Sequence, residues 1–269
     1  MTARRPDRRL FLALIGSLLG AGAGAWAWAA ASDQPAAGPR EPPAAPATIP
    51  RRPTTTRPAA TTSTGQTSTA LGSVPLTVLC REAWGARPAG DGLARHVIER
   101  LTVHHTAVQF DDRRVAARRL RGYQTYHMDD RGWPDIAYHF LVDLDGHVFE
   151  GRDPAYRGDT ATEYDPTGHF LVCLDGHYDT QEPSPAQLAA TADILAYATV
   201  RYDVDPATLG GHRDYASTSC PGAAVQAVID DGSLLAAVRS RLADARIELD
   251  RVCGPDAEDI ITAIEAGPA

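Results

Sequence analysis

Short apolar runs, each four to seven residues long, recur through the last two thirds of the chain. Runs of this length between polar residues are typical of β-strands. Two of them are joined by Asp143-Leu144-Asp145-Gly146, a turn signal that predicts a hairpin. The predicted strands cover residues 98–103, 136–142, 147–150, 170–174 and 208–211.

Three longer segments repeat their apolar residues at helical spacing instead. The first has arginines on its solvent-exposed face and one apolar face, formed by Ala116, Leu120, Tyr123 and His127. The second opens with a capping signal: Ser184 caps, Pro185 takes the first helical position and Gln187 completes a capping box. The predicted helices cover residues 113–128, 185–201 and 233–245. Strands interspersed with helices predict a mixed α/β domain, in which helices pack on a mixed sheet.

The N-terminal segment has the pattern of an export signal. Residues 1–31 combine an arginine-rich start, an uncharged stretch from Leu10 and a small-residue cleavage site at Ala29-Ala30-Ala31. The pair Arg8-Arg9 also resembles a twin-arginine signal. An uncleaved membrane anchor is the alternative, because the apolar run is about long enough to span a bilayer.

Residues 32–75 consist mainly of proline, threonine, alanine and serine. Such a segment buries too little apolar surface to offset its ordering entropy, so we expect a disordered linker. The folded domain is then predicted at 76–253, and residues 254–269 are expected to form a poorly defined acidic tail.

Charge is divided unevenly between these parts. The formal net charge is −8, and residues 1–75 carry eight arginines and three acids, which is +5 and leaves −13 for the remainder. So acidic a domain argues against a nucleic-acid partner, since phosphate binding needs clusters of lysine and arginine. The sequence contains no lysine, which excludes a catalytic lysine.

Two histidines and a cysteine form a candidate metal site. His104 lies at the end of a predicted strand, and His212 and Cys220 lie eight positions apart in a loop-forming segment. Imidazole and thiolate are preferred zinc ligands, and three protein ligands leave a fourth position open, as in catalytic zinc sites. A structural zinc site would need four ligands in close pairs such as C-x-x-C, and the sequence has no such pair.

The remaining cysteines have simpler roles. Cys173 lies within a predicted buried strand and is interpreted as a small core residue. Cys80 and Cys253 flank the predicted domain, which in an exported protein suggests a disulfide, although the sequence alone does not establish the pairing.

Four motifs in the same order resemble the peptidoglycan recognition proteins and the related zinc-dependent type-2 N-acetylmuramoyl-L-alanine amidases. They are His104-His105-Thr106-Ala107, the stretch 132–140 (GWPDIAYHF), the stretch 146–152 (GHVFEGR) and the stretch 211–222 (GHRDYASTSCPG). The resemblance covers roughly residues 76–245. It implies a central mixed β-sheet flanked by helices, a zinc-containing cleft, and hydrolysis of the amide bond between N-acetylmuramic acid and L-alanine.

The resemblance also implies roles for individual residues. It maps the zinc ligands of active members onto His104, His212 and Cys220, and the active-site tyrosine onto Tyr138. Thr218 falls where other members carry lysine or threonine. Tyr138 and Thr218 could each donate a hydrogen bond to the attacking water or to the oxyanion, and neither is assigned as the general base.

One carboxylate and one loop near these residues also need an interpretation. Glu150 lies near the cleft in sequence order and is expected to form a structural ion pair. The loop at 156–160 lacks the histidine that many animal members carry there.

The predicted substrate contacts are His105, His127, Arg131, Gly132 and Trp133. The Gly132-Trp133 pair resembles members that prefer peptides with meso-diaminopimelate, whose extra carboxylate suits Arg131. For His105 three interpretations remain open: a substrate contact, a support of the zinc ligands, or a surface histidine.

The resemblance and the export signal together define the expected setting. The partner is peptidoglycan or its muropeptides, and the protein is expected to be a secreted or wall-associated monomer that meets a membrane only if its N-terminal segment stays uncleaved. A non-catalytic peptidoglycan-binding or sensing module is the alternative function, although an intact ligand set with Cys220 favours an enzyme.

Overall fold

A computed structural model of the chain describes residues 72–110 and 112–267. The predicted export signal and nearly all of the predicted linker lie outside these residues. Within the described part, no helix is both long and apolar enough to cross a membrane.

The described residues form a seven-stranded mixed sheet. Its strands are β1 (Ser73–Leu79), β2 (Arg100–His105), β3 (Phe140–Val142), β4 (Val148–Glu150), β5 (His169–Leu174), β6 (Gly210–Gly211) and β7 (Arg246–Val252). Their order is β6-β2-β5-β3-β4-β1-β7, and the hairpin β3–β4 is antiparallel while every other neighbouring pair is parallel. The predicted mixed sheet is therefore confirmed.

Helices cover both faces of the sheet. They are α1 (Ala116–Thr125), α2 (Pro185–Tyr202), α3 (Ala223–Asp230), α4 (Ser233–Asp244) and α5 (Gly254–Ala266). One core cluster joins α2, α3 and α4 to strand residues such as Val103 and Phe170. The other joins α1 and α5 to strand residues such as Leu141 and Phe149. The predicted arrangement of helices flanking a sheet is confirmed as three layers.

Several strand and helix boundaries differ from the prediction. β2 begins and ends two residues later than predicted, so its paired part includes both His104 and His105. Only Phe140–Val142 of the predicted strand 136–142 is regular, although the Tyr138 and His139 carbonyls still accept hydrogen bonds from Arg152 and Gly151 at 2.8 Å. The predicted helix 113–128 is divided into a 3₁₀ turn, α1 and a π-helical turn at Tyr126–Asp130.

The predicted capping box of α2 is half right. The Ser184 hydroxyl accepts from the Gln187 backbone N–H at 3.0 Å, as expected of a cap. The Gln187 side chain does not return to the cap. It is buried, donates to the Val142 carbonyl at 2.9 Å and accepts from the Tyr178 hydroxyl at 2.6 Å, so it joins α2 to the sheet.

The C-terminal residues are folded, which corrects the expectation of a poorly defined tail. Helix α5 packs its apolar side, formed by Ala257, Ile260, Ile261 and Ile264, into the core cluster that contains α1. Cys80 and Cys253 form the suggested disulfide, with their Cα atoms 5.5 Å apart. The acidic residues on the exposed side of α5 made the segment look uniformly polar, so its three isoleucines were not recognised as a helical core face.

Candidate metal centre

Two parallel strands bring the candidate histidines together. β2 pairs with β6 so that Val103 lies opposite Gly211, and the residue that follows each of them in the chain is a histidine. The His104 and His212 rings lie 4.6 Å apart between centroids, and His104 is only 2% exposed. Adjacent strand ends in a parallel sheet therefore place these residues side by side although 108 positions separate them in the sequence (212 − 104).

The loop after His212 carries Cys220 back to the same point. The Arg213 N–H donates to the Cys220 carbonyl at 2.9 Å, and the Cys220 N–H donates to the Thr218 hydroxyl at 3.2 Å. Gly222 follows with φ of +89°, and a Cβ there would lie 2.6 Å from Tyr178. The loop thus needs glycine at this position, both for its backbone conformation and for close packing.

The three side chains fit a zinc ion. One ligand atom from each of His104, His212 and Cys220 lies within 4.8 Å of the others. The Cys220 Sγ is 3.6 Å from the His104 Nδ1. Tetrahedral zinc with its usual bond lengths to sulfur and nitrogen requires a separation of about 3.6 Å between such atoms.

The electrostatics of the three residues suit a cation. Burial lowers the pKa of His212 to about 4 and that of His104 well below its usual range, so both rings are neutral and can act as ligands. Burial raises the pKa of the Cys220 thiol to about 12. The His105 backbone N–H donates to its sulfur at 3.4 Å. A cation at this point would favour the thiolate, so metal binding would release a proton here.

Tyr138 and Thr218 lie beside the three candidate ligands. The Tyr138 ring is 5.4 Å from the His104 ring, and burial, together with Cys173 and Cys220, raises its pKa well above the usual range. The Thr218 hydroxyl accepts from the Cys220 N–H, which leaves its own proton free to donate. Both groups are therefore hydrogen-bond donors close to the metal centre.

Four of the five predicted substrate contacts lie together, and His105 lies apart from them. The His127 ring lies 4.9 Å from the Trp133 ring at a tilt of 38° and meets Tyr138 edge-on at 5.7 Å, so these three rings form one wall. The Arg131 guanidinium lies 5.2 Å from the centre of the Trp133 ring, and Gly132 has φ of +69° with open space where a Cβ would lie.

His105 lies on the other side of the sheet. Consecutive strand residues point to opposite faces, so His105 turns away from His104. It is 4% exposed, its Nδ1 accepts from the Tyr178 N–H at 3.4 Å, and its ring packs on His177. The surface-histidine interpretation is wrong because the ring is buried, and the His105 backbone N–H donates to the sulfur of Cys220, a candidate ligand.

Two supports of this site were missed in the sequence. The buried Arg152 donates to the carbonyls of Asp135 and Ile136 at 2.9 Å each, and so fixes the segment that leads to Tyr138. The loop between β4 and β5 also places the Thr162 hydroxyl 2.8 Å from His212 Nε2. Alternating hydroxyl residues at 160, 162 and 164 were the available signal for this contact.

Glu150 has the structural role that was predicted for it. Its carboxylate pairs with Arg251 of β7, with one oxygen 2.8 Å from Nη2. This ion pair links β4 to the edge strand β7 across β1, and it leaves Glu150 outside the set of groups around the candidate ligands.

Comparisons with known proteins agree with this architecture. The family model described as N-acetylmuramoyl-L-alanine amidase matches residues 94–223. Peptidoglycan-recognition protein SC2 of Drosophila melanogaster is 35% identical over 151 residues, which cover 55% of this chain and 81% of that protein. The N-acetylmuramoyl-L-alanine amidase of Sus scrofa is 36% identical over 163 residues, but these cover only 27% of its length and 58% of this chain.

A solved structure shows the same fold. Peptidoglycan recognition protein LE, in complex with tracheal cytotoxin (monomeric diaminopimelic acid-type peptidoglycan), superposes with a TM-score of 0.53 at 26% identity. The match covers 57% of this chain and 92% of that one. On its sequence, its fold and the order of its motifs, the chain belongs to the family of peptidoglycan recognition proteins and N-acetylmuramoyl-L-alanine amidases.

Proposed function

We propose that the protein is a zinc-dependent amidase that cleaves the bond between N-acetylmuramic acid and L-alanine in peptidoglycan. The observation that carries this proposal is the convergence of His104, His212 and Cys220, with ligand atoms within 4.8 Å of one another. Three protein ligands match catalytic zinc sites, which keep one coordination position for water or substrate.

The chain's own residues have distinct parts in this reaction. His104, His212 and Cys220 would hold the metal. The chemistry that zinc supplies when bound is acidification of a water molecule and polarisation of the amide carbonyl. The Tyr138 and Thr218 hydroxyls donate hydrogen bonds toward the attacking water or the developing oxyanion, which stabilises charge that appears only in the transition state.

The wall formed by the His127, Trp133 and Tyr138 rings, with Arg131 beside it, suits a peptide that carries an additional carboxylate. The rings of His127 and Trp133 pack together beside Tyr138, and the open space at Gly132 admits a ligand close to the backbone. Arg131 is exposed beside Trp133 and can pair with a carboxylate such as that of diaminopimelate. The likeness to a protein solved with diaminopimelic acid-type peptidoglycan supports the same substrate class.

The proposed setting is extracytoplasmic. The arginine-rich and apolar pattern of residues 1–31 supports export, and the proline-rich segment 32–75 would space the folded domain from a membrane or thread it into the wall.

Mass spectrometry of diaminopimelate-type muropeptides tests the proposal. Incubation with the zinc-loaded full chain should yield separate glycan and stem peptide, and a chelator should abolish both products. Cys220→Ser is the matched variant and should also release none, since a hydroxyl is a much poorer zinc ligand than a thiolate.

Two other outcomes would contradict the proposal. Cleavage that persists in the presence of a chelator would exclude the zinc mechanism. Intact muropeptide that co-purifies with the wild-type chain would favour a binding module instead.

A further inference from the structure

The loop between β4 and β5 turns a pair of threonine hydroxyls onto one candidate ligand. The Thr162 Oγ1 lies 2.8 Å from His212 Nε2, and the Thr160 Oγ1 lies 3.4 Å from the same nitrogen. Across residues 72–110 and 112–267, the His212 ring has hydrogen bonds to these two hydroxyls and to no other group. The ring of Tyr164 packs on the same imidazole, 5.0 Å between centroids.

The two threonines are themselves connected. Their hydroxyl oxygens are 2.8 Å apart, and the Thr162 backbone N–H donates to the Thr160 Oγ1 at 3.1 Å. Thr160 thereby fixes the position of Thr162. Either hydroxyl of the pair can be the donor, and when Thr162 donates to Thr160 its free lone pairs face His212.

In that orientation the Thr162 oxygen accepts a hydrogen bond from the ring, which fixes the ring nitrogen that carries the proton. A neutral imidazole has one donor nitrogen and one acceptor nitrogen. When Nε2–H donates to the Thr162 oxygen, Nδ1 holds the free lone pair and is available to a metal. The reverse tautomer would place a proton on Nδ1 and abolish metal binding by that atom.

We propose that Thr162, held by Thr160, is a positioning residue that sets the tautomer and orientation of His212 and so determines the zinc affinity of the site. This inference rests on the proposed function. Metal-bound histidines generally donate their other N–H to a carboxylate, carbonyl or water, and loss of that partner typically weakens metal affinity about 10- to 100-fold. Here a threonine hydroxyl on a neighbouring loop takes that part.

Zinc affinity, measured by competition with a chromophoric chelator on the full chain, tests the inference. Thr162→Val keeps the side-chain shape without the hydroxyl and should weaken zinc binding about 10- to 100-fold. Thr162→Ser restores the hydroxyl and should bind zinc close to the wild-type affinity. Thr160→Val should have a smaller effect, because it acts on His212 mainly through Thr162.

A control in the same loop separates this role from general disturbance. The Thr167 hydroxyl donates to Asp165 at 2.8 Å on the exposed part of the loop, so Thr167→Val should leave zinc affinity unchanged. Urea unfolding of each variant with a chelator present should match the wild type, which would show that the substitution leaves the stability of the metal-free fold unchanged. Thr162→Ala removes the hydroxyl without a β-branch and provides a second test if the valine variant folds poorly.

The outcomes distinguish this inference from the proposed function. If wild-type protein cleaves muropeptide and Thr162→Val or Thr162→Ala binds zinc as tightly as wild type, the positioning role is wrong and the amidase proposal stands. If the wild-type chain binds no zinc, both are wrong.

Discussion

At the residue scale, the candidate metal centre depends on groups other than its three proposed ligands. Thr162 orients His212, the His105 backbone N–H contacts the Cys220 sulfur, and Arg152 fixes the approach to Tyr138. Each of these contacts joins residues from different loops or strands. The site is consequently preorganised by neighbours whose own chemistry gives no hint of a metal.

The phenol of Tyr138 provides a prediction at this scale. Tyr138→Phe removes one donor near the reacting carbonyl, so kcat/KM for muropeptide should fall about 10²- to 10³-fold. Zinc content should stay unchanged because Tyr138 is not among the proposed ligands. Steady-state kinetics and metal analysis of the same preparation check both statements.

Tyr197→Phe is the matched control for this substitution. Tyr197 lies on α2 and packs on Tyr202, away from the ligand loops. Equal activity of Tyr138→Phe and the wild type would remove Tyr138 from the proposed mechanism.

At the element scale, the two ends of the domain lie next to each other. β1 and β7 pair in parallel along their full length, and the disulfide Cys80–Cys253 joins the residues that follow them. Helix α5 then continues from the disulfide and packs into the α1 side of the core. This C-terminal unit lies outside the stretch matched by the amidase family model, which ends at residue 223.

Removing the disulfide should lower the free energy of unfolding and leave zinc binding intact. The cross-link closes a loop of 173 residues, and loss of a native disulfide typically lowers the free energy of unfolding by about 2–5 kcal/mol. Urea unfolding of the double variant Cys80→Ser/Cys253→Ser checks this value. Zinc affinity at low temperature should be retained because no ligand lies in either segment.

Thiol titration provides the complementary test. Unfolded protein stripped of zinc should show two reactive thiols, Cys173 and Cys220, before reduction and four after it. Four thiols in the unreduced protein would contradict the pairing.

At the scale of the whole molecule, buried neutral histidines make the fold sensitive to acid. Burial lowers the pKa of His127 and His139 to about 3 and that of His169 to about 4. Below pH 6.5 the unfolded chain binds protons that the folded chain excludes. Stability should therefore decline as the pH falls from 6.5 toward these values, by up to about 1.4 kcal/mol per pH unit for each such residue.

One histidine acts in the opposite direction. The hydrogen bond from His147 to Asp143 raises the pKa of that histidine, so its contribution to stability is present below pH 6.5 and is lost as the pH rises through the folded pKa. A single partly exposed pair is outweighed by three buried rings, so the net change remains a loss of stability in acid.

Urea unfolding of chelator-treated protein at pH 7.5 and pH 5.0 measures this effect. His139 is the residue to vary, because its Nε2 donates to the Tyr156 carbonyl at 3.0 Å while its Nδ1 accepts from the Leu171 N–H at 2.9 Å. His139→Gln should reduce the pH dependence by one residue's share. An unchanged dependence in this variant would show that His139 is not protonated on unfolding.

Local patterns in the sequence determined much of this protein. Apolar periodicity located most strands and the helices α1, α2 and α4, because core packing repeats at fixed intervals along an element. The ligand types at 104, 212 and 220 indicated zinc because imidazole nitrogen and thiolate sulfur are preferred zinc ligands. The motifs around them indicated the family, and the terminal cysteines suggested the disulfide that the structure contains.

Only the tertiary structure decided contacts between segments distant in the sequence. The register of β2 decided that His104 faces the metal centre and His105 the opposite side, because one residue of shift reverses every side chain of a strand. Packing against α1 decided that an acidic tail is a helix, and pairing with β1 made a strand of the charged segment 246–252. The hydroxyl of Thr162 acquired its partner through a loop contact across 50 residues, which no local pattern encodes.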